Sequence, residues 1–548
     1  MTETSQGRGA AAARYLIGVD VGTGSARAGV FTPDGKLLGA DKRPISVFRE
    51  GGSIAEQSSA EIWAAVAASV RGAVAVAGVD PGEIAGIGFD ATCSLVVLGE
   101  GGEPLPVGDP QRPERDIILW MDHRAVEQAE RINKIGHRVL DYVGGRISPE
   151  METPKLLWLK ENRPDVFRGA WQFFDLADFL TWRATGDLSR SNCTLTCKWT
   201  YLGHEQRWDA SYFEAVGLND LADEGFARVG TRIVDPGAPL GNGLTEAAAH
   251  DLGLLPATPV AAGLIDAHAG GIGSVGARDG GGPQANLAYV FGTSSCTMTT
   301  TNEPVFVPGV WGPYYSAMVP GAWLNEGGQS AAGAAIEQLL DFHPYSAEAH
   351  RRAEEVGLSL PDWLSRQALA RVDDLGRVVE LAGGVHIVPE FLGNRAPHAD
   401  PNTRAAILGI GMERDLDSLV ALYIAGLCGI GYGLRQIIEA QARAGCEIER
   451  IVISGGAGRS DLVRQLLADT TGVEVAAPET EEPVLLGSAI LASVAAGLYS
   501  DIETAMGAMS AFSTRYRPAS QSISAVHDER FAIFEALQAL ARKSAAGA

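Results

Sequence analysis

Lysine is scarce in this 548-residue chain: there are seven, and none between Lys198 and Lys543. No G-x-x-x-x-G-K-[ST] run occurs, which excludes a lysine-based phosphate loop. Cysteine is sparse as well. Six cysteines (Cys93, Cys193, Cys197, Cys296, Cys428, Cys446) in so long a chain make no disulfide framework. Cys193 and Cys197 form a C-x3-C pair with no second cysteine pair and no histidine among the residues between or beside them, which argues against zinc. Positive charge is in deficit, with 44 Lys plus Arg against 67 Asp plus Glu and a net charge of −23. That balance argues against nucleic-acid or anionic-membrane partners. Long apolar runs are missing too. The uncharged apolar stretch 418–434 is interrupted by glycine, short for a bilayer span, and reads as a buried helix. Residues 1–13, MTETSQGRGAAAA, lack an apolar h-region and read as a disordered tail rather than a signal peptide. A reducing cytoplasm is the expected compartment.

Glycine, by contrast, is abundant: 67 residues, about 12% of the chain against a usual ~7%. No collagen period explains it, so glycine must serve particular backbone positions. Residues 14–31 read as apolar strand, glycine turn, apolar strand, and Asp34-Gly35 turns into a further strand. Residues 59–78 read as a helix, 84–98 as strand, polar turn and strand, and 124–188 as several helices including PKLLWLKEN. TPVAAGLI reads as a strand leading into Asp266. Strand, turn and strand follow at 286–300, then strand and helix at 451–473. The turns Gly22-Thr23-Gly24-Ser25 and Gly292-Thr293-Ser294-Ser295 are separated by about half the chain. This plan predicts an α/β protein of two related halves.

The first turn is not a dinucleotide fingerprint, because Gly22-Thr23-Gly24-Ser25 leads into a strand and not a helix. Backbone N–H groups and the Thr and Ser hydroxyls of such a turn can instead form an anion nest. Two turns, one per half, could clasp a polyphosphate from both sides. Asp20 stands just before the first turn and could hold Mg²⁺ through water, as hard oxygen ligands do. Arg27 supplies local positive charge against the acidic background.

The segments DVGTGSARAGVF, WMDHR, PKLLWLKEN, GLIDAHAGG, VFGTSS, EFLGNRAPHADPNTR and ISGGAGRSDLVRQLLAD together resemble the FGGY family of carbohydrate kinases, in order and across nearly the whole chain. The resemblance implies two ribonuclease-H-like domains of the actin/Hsp70 type, here 14–264 and 265–548, with the active site in the cleft between them. It implies transfer of the ATP γ-phosphoryl group to a sugar hydroxyl, with Mg²⁺. GFDATCSL, NEGGQSAAG and SNCTLTCKWTY resemble ribulokinases, especially the D-ribulose-directed branch, whereas xylulokinases usually carry Met-His where this chain has Thr92-Cys93. L-ribulose, ribitol and xylulose stay open as substrates. So does a different class, an actin/Hsp70-like ATPase acting on protein partners, which would share the turns.

Asp266 matches the family's catalytic aspartate. Its residue type is also that of a helix cap, an alternative from composition. Sugar contacts are implied at Cys93, Lys198 and Glu326, and at Asp122 and Arg124 of WMDHR. A helix-start salt bridge is the other reading of that last pair. Gly455, Gly456 and Arg459 resemble the adenosine segment, with Gly22, Thr23, Gly24, Ser25, Arg27, Gly292, Thr293 and Ser294 at the phosphates. Asn394-Arg395 read as structural support, and His268 as a packing residue. The expected partner is a small sugar, with no nucleic acid and no membrane; a homodimer is compatible with the sequence.

Overall fold

The computed structural model describes residues 14–546, so the expected tail at 1–13 lies outside the described residues. The first half is built on a five-stranded sheet. Its strands are β1 (Tyr15–Gly22), β2 (Ser25–Phe31), β3 (Leu37–Pro44), β4 (Ile84–Ala91) and β5 (Leu264–Ile265), in the order β5-β4-β1-β2-β3. β1, β2 and β3 form an antiparallel meander, while β4 and β5 run parallel to β1. The parallel strands are continuous apolar runs, as burial on both faces requires.

The second half repeats the plan. β6 (Asn286–Phe291), β7 (Ser295–Thr301) and β8 (Trp323–Gln329) form the antiparallel meander. β9 (Arg450–Ser454) pairs parallel with β6, and β10 (Glu474–Pro478) parallel with β9. Strands Trp311–Tyr315 and Phe512–Tyr516 extend this sheet to seven. The two halves predicted from the repeated glycine turns are therefore repeats in topology and not merely in turn composition.

Helices fill the same places in both halves. α1 (Ser59–Ala77) follows the first meander, capped by Ser58 and closed by left-handed Gly78. α2 (Glu152–Asn162) is the PKLLWLKEN helix, and α3 (Asn192–Lys198) carries the C-x3-C pair. α4 (Asp266–Val275) springs directly from β5. α5 (Gly333–Asp341) follows the second meander, then α6 (Leu416–Arg443), α7 (Asp461–Thr471) and α8 (Pro483–Ala495). α6 contains the uncharged run and extends well beyond it. It is long and apolar enough to cross a membrane, yet 72% of its apolar window is buried inside the fold.

α4 and α8 follow β5 and β10, the last parallel strand of each sheet, and they pack on each other. A Cβ at Gly487 would stand 1.9 Å from the Ala269 carbonyl oxygen, and one at Gly273 would stand 1.9 Å from that of Pro483. Only glycine admits this approach. α8 also lies on β1 and β4 of the first sheet. The boundary expected at 264/265 cuts between the two residues of β5, just before α4, and a helix from late in the chain returns to cover the first half. One apolar cluster accordingly contains Leu16 and Phe31 together with Leu485, Ile490 and Met506.

One local reading changes. The 84–98 segment is strand, turn and strand, but Leu95–Leu98 leaves the first sheet. It joins an inserted five-stranded sheet with Phe48–Glu50, Ile54–Gln57, Ile117–Ile118 and Gln172–Asp175. The Thr92 N–H bonds the Val21 carbonyl, and Ser94 accepts from the Trp120 N–H, which steers the chain between sheets.

Candidate active site

Parallel pairing puts three carboxylates at the carboxyl ends of adjacent strands. Asp20 on β1 stands in register with Asp90 on β4, and Asp90 with Leu264 on β5, two residues before Asp266. Asp20 and Asp90 are buried and Asp266 half-buried. The Ser488 hydroxyl on α8 donates to Asp90 Oδ2 at 2.6 Å, while Asp90 Oδ1 has no hydrogen-bond partner among the described residues. Burial, with Asp20 and then Asp266 nearby, holds the Asp90 carboxyl well above the usual carboxylate range. Burial and the Asp20 carboxylate likewise lift Asp266 to about 6, although the Ala267 N–H and the charges of His268 and Lys198 oppose the rise. The unpartnered buried oxygen of Asp90 suits a hard divalent cation. Asp90 was not singled out from sequence. Its signal was available, since an acid ending a fully apolar strand is unusual, but its pairing with Asp20 is a matter of register.

Arg27 sits differently from expectation. Its Nε donates to Asp20 Oδ2 at 2.9 Å, its Nη1 to Glu482 Oε2 at 2.8 Å, and its Nη2 also to Asp20. All three guanidinium nitrogens are engaged, so Arg27 orients Asp20 and links the halves instead of presenting a free charge to the turns.

On the other side of Asp266 lies a second group. Glu326 on β8 is buried, with its Oε2 3.6 Å from His268 Nε2 and its Oε1 accepting from the Cys296 thiol at 3.4 Å. Burial acts to raise Glu326, but the facing His268 imidazole and the charge of Lys198 pull it down to about 2. Lys198, at the end of α3, acts electrostatically on both Glu326 and Asp266. Cys93 is buried near Lys198, and burial pushes its thiol up, so it stays neutral. The buried Tyr314 hydroxyl has no hydrogen-bond partner among the described residues and feels the same lysine. Cys93, Lys198, Asp266 and Glu326 thus share one electrostatic neighbourhood with Tyr314 and His268. His268 lies inside GLIDAHAGG, where it reads as a packing residue, and Tyr314 lies outside every segment that carries the resemblance.

Asp122 and Arg124 form the salt bridge that was their other reading. Arg124 Nε and Nη2 donate to the two Asp122 oxygens at 2.9 and 2.8 Å, and Nη2 also donates to Glu56 at 2.8 Å. The Ala55 N–H takes a further position on Asp122 at 2.7 Å. Arg124 lies over the Trp158 ring of α2, and both charged side chains are almost fully buried. They offer no free group to a ligand and brace the inserted sheet. Asn394 and Arg395 are supports too: Asn394 bonds Glu390 and the His398 N–H, and Arg395 lies over Trp311.

The glycine turns sit at the tips of β1–β2 and β6–β7. Thr23 is held by Trp120 Nε1 on its hydroxyl at 3.0 Å and by Gln57 on its carbonyl at 2.9 Å. In the second turn the Gly292 N–H bonds the Ser294 carbonyl, and N–H groups of 332–334 brace Gly292 and Thr293 from the start of α5. Beside it opens a cavity of about 440 Å³, lined by Gly292, Thr293, Gly333, Tyr423, Gly456 and Ser460 among others. Gly455 has φ +90, and a Cβ there would meet the Phe291 carbonyl oxygen at 2.5 Å, so the strand end can close on the turn only with glycine. Gly456 faces open space. Arg459 is exposed and does not line this cavity; Ser460 takes that place.

Comparison with known proteins agrees with this architecture. Residues 15–273 match the N-terminal domain, and 287–496 the C-terminal domain, of the FGGY family of carbohydrate kinases. A human FGGY carbohydrate kinase domain-containing protein is 45% identical over 91% of this chain and 91% of its own length. A D-ribulokinase from Saccharomyces cerevisiae is 39% identical over 88% of this chain and 72% of its own. The crystal structure of xylulose kinase from Rhodospirillum rubrum superposes with a TM-score of 0.79 at 21% identity, covering 97% of this chain and 100% of that one. The chain belongs to the FGGY family of carbohydrate kinases. It is an ATP-dependent phosphotransferase with an alcohol acceptor on the two-domain actin/Hsp70-like fold, in the ribulokinase-like branch of that family.

Proposed function

We propose that this kinase phosphorylates the terminal hydroxyl of a pentulose, D-ribulose before L-ribulose, ribitol or xylulose. The observation that carries the reading is the position of Asp266, between the Lys198–Glu326–Cys93 group on one side and the Asp20–Asp90 carboxylates on the other. The 39% identity to a D-ribulokinase supports the choice of sugar.

Lys198 and Glu326 offer charge-assisted hydrogen bonds to neighbouring hydroxyls, with the neutral Cys93 thiol shaping the wall. Nucleotide phosphates lie between the turns Gly22-Thr23-Gly24-Ser25 and Gly292-Thr293-Ser294, whose backbone N–H groups and hydroxyls donate to them. The nucleoside enters the cavity beside Gly455 and Gly456. Asp266 accepts the proton of the terminal hydroxyl as its oxygen bonds the γ-phosphorus and ADP departs. A pKa lifted to about 6 keeps it ionised at neutral pH and makes it a better base than a free aspartate. Asp20 and Asp90 would hold Mg²⁺, which neutralises charge on the phosphates. Closure of the halves about the α4–α8 contact excludes water, the competing acceptor.

An actin/Hsp70-like ATPase acting on protein partners needs no Lys198–Glu326–Asp266 group and is not favoured. The test is ADP release across pentuloses and pentitols, with the wild type and Asp266→Asn. D-ribulose ranking first supports the substrate, and its falling well below xylulose overturns it. Near-normal turnover by Asp266→Asn overturns the role of the carboxylate.

A further inference from the structure

The C-x3-C pair that looked isolated in sequence has a histidine after all. Cys193 and Cys197, one turn apart on α3, face His268 on α4. The two thiol sulfurs and an imidazole nitrogen lie within 4.8 Å of one another. Cys193 Sγ is 3.1 Å from His268 Nδ1, and all three side chains are at most 1% exposed. The Ile265 N–H points at Cys193 Sγ from 3.4 Å, a donor that suits a thiolate. His268 Nε2, without a hydrogen-bond partner inside 3.5 Å, faces Glu326 Oε2 at 3.6 Å.

We propose that Cys193, Cys197 and His268 form a binding site for a thiophilic divalent cation of the zinc class. Two thiolates and one imidazole are a known tetrahedral donor set that leaves one position for water. The carboxylate on the far ring nitrogen is the arrangement that orients metal-bound histidines. Binding displaces the two thiol protons to solvent and leaves His268 neutral, with Nδ1 toward the metal and Nε2–H toward Glu326. Mg²⁺ is too hard for this set and stays with the carboxylates. Because α3 ends in Lys198 and α4 begins with Asp266, an occupied site clips together the two helices that carry these residues. The site itself stands whether or not the sugar assignment does.

The test uses the full chain, reduced and chelator-treated, titrated with Co²⁺ in excess Mg²⁺. One equivalent per chain with an intense thiolate-to-cobalt charge-transfer band is expected, displaced by Zn²⁺. The band should vanish in Cys193→Ser/Cys197→Ser and persist in Cys93→Ser/Cys296→Ser. Absence of the band from the wild type, or its survival in the first double variant, overturns the proposal. Should that variant fail to fold, His268→Asn keeps both thiols and should weaken Zn²⁺ binding at least tenfold; unchanged affinity is the refuting result.

Discussion

The Ser488 hydroxyl donates to the Asp90 carboxylate at 2.6 Å across 398 positions of sequence, tying α8 of the second half to a strand end of the first. Among the described residues it is the one hydrogen-bond donor to a carboxyl otherwise buried without one. Ser488→Ala should destabilise the chain by about 1–3 kcal/mol, the cost of stranding a buried acceptor. Urea unfolding measures it, and an unchanged midpoint would show that Asp90 finds another donor.

Asp266 gives a pH prediction. Its carboxylate must be ionised to accept a proton, so kcat/KM should fall about tenfold per pH unit below about 6. Lys198 lowers the Asp266 pKa, so Lys198→Met should move that limb to higher pH and raise the sugar KM by about a hundredfold, with ATP affinity kept. A pH limb that stays in place would separate Lys198 from Asp266.

The same carboxyl makes a stability prediction of the opposite sense. The folded pKa of about 6 lies above the unfolded value of ~3.9, so the folded state binds more protons between these limits. Ionised Asp266 therefore costs stability above pH 6. Asp266→Asn should melt higher than wild type at pH 7–8, with the gain shrinking between pH 6 and 4 and absent below. A gain that grows on acidification would contradict the assigned environment.

Two glycines should separate fold from site. Gly487→Ala drives a Cβ into the Ala269 carbonyl and should cost about 3 kcal/mol. Gly456→Leu meets no atom within 4 Å at its Cβ but projects beside the second turn, where the cavity opens. Its melting temperature should stay close to wild type while the ATP KM rises at least tenfold. An unaltered ATP KM would remove the nucleoside from that cavity.

Much of the site was legible because turn chemistry is local. Gly22-Thr23-Gly24-Ser25 and Gly292-Thr293-Ser294 need only their own residues to be seen as turns, and the resemblance supplied Asp266, Lys198 and Glu326. The Asp122–Arg124 bridge was legible as an alternative, but the further partners were not, since Arg27 meets Glu482 and Arg124 meets Glu56 only through the fold. Arg459 was one residue from the cavity wall, a distance that helix phase decides.

The sequence by itself determined the repeated strand–turn–strand plan, the acidic background and the positions where backbone without a side chain is required. These follow from periodicity and residue type, which act over a few residues. The tertiary structure decided which groups share a dielectric environment. Parallel register placed Asp90 beside Asp20, the α4–α8 contact carried Ser488 to Asp90, and the approach of α3 to α4 gave the cysteine pair its histidine. Charges and ligands act through space over a few ångströms, and residues that close in space stood far apart along the chain.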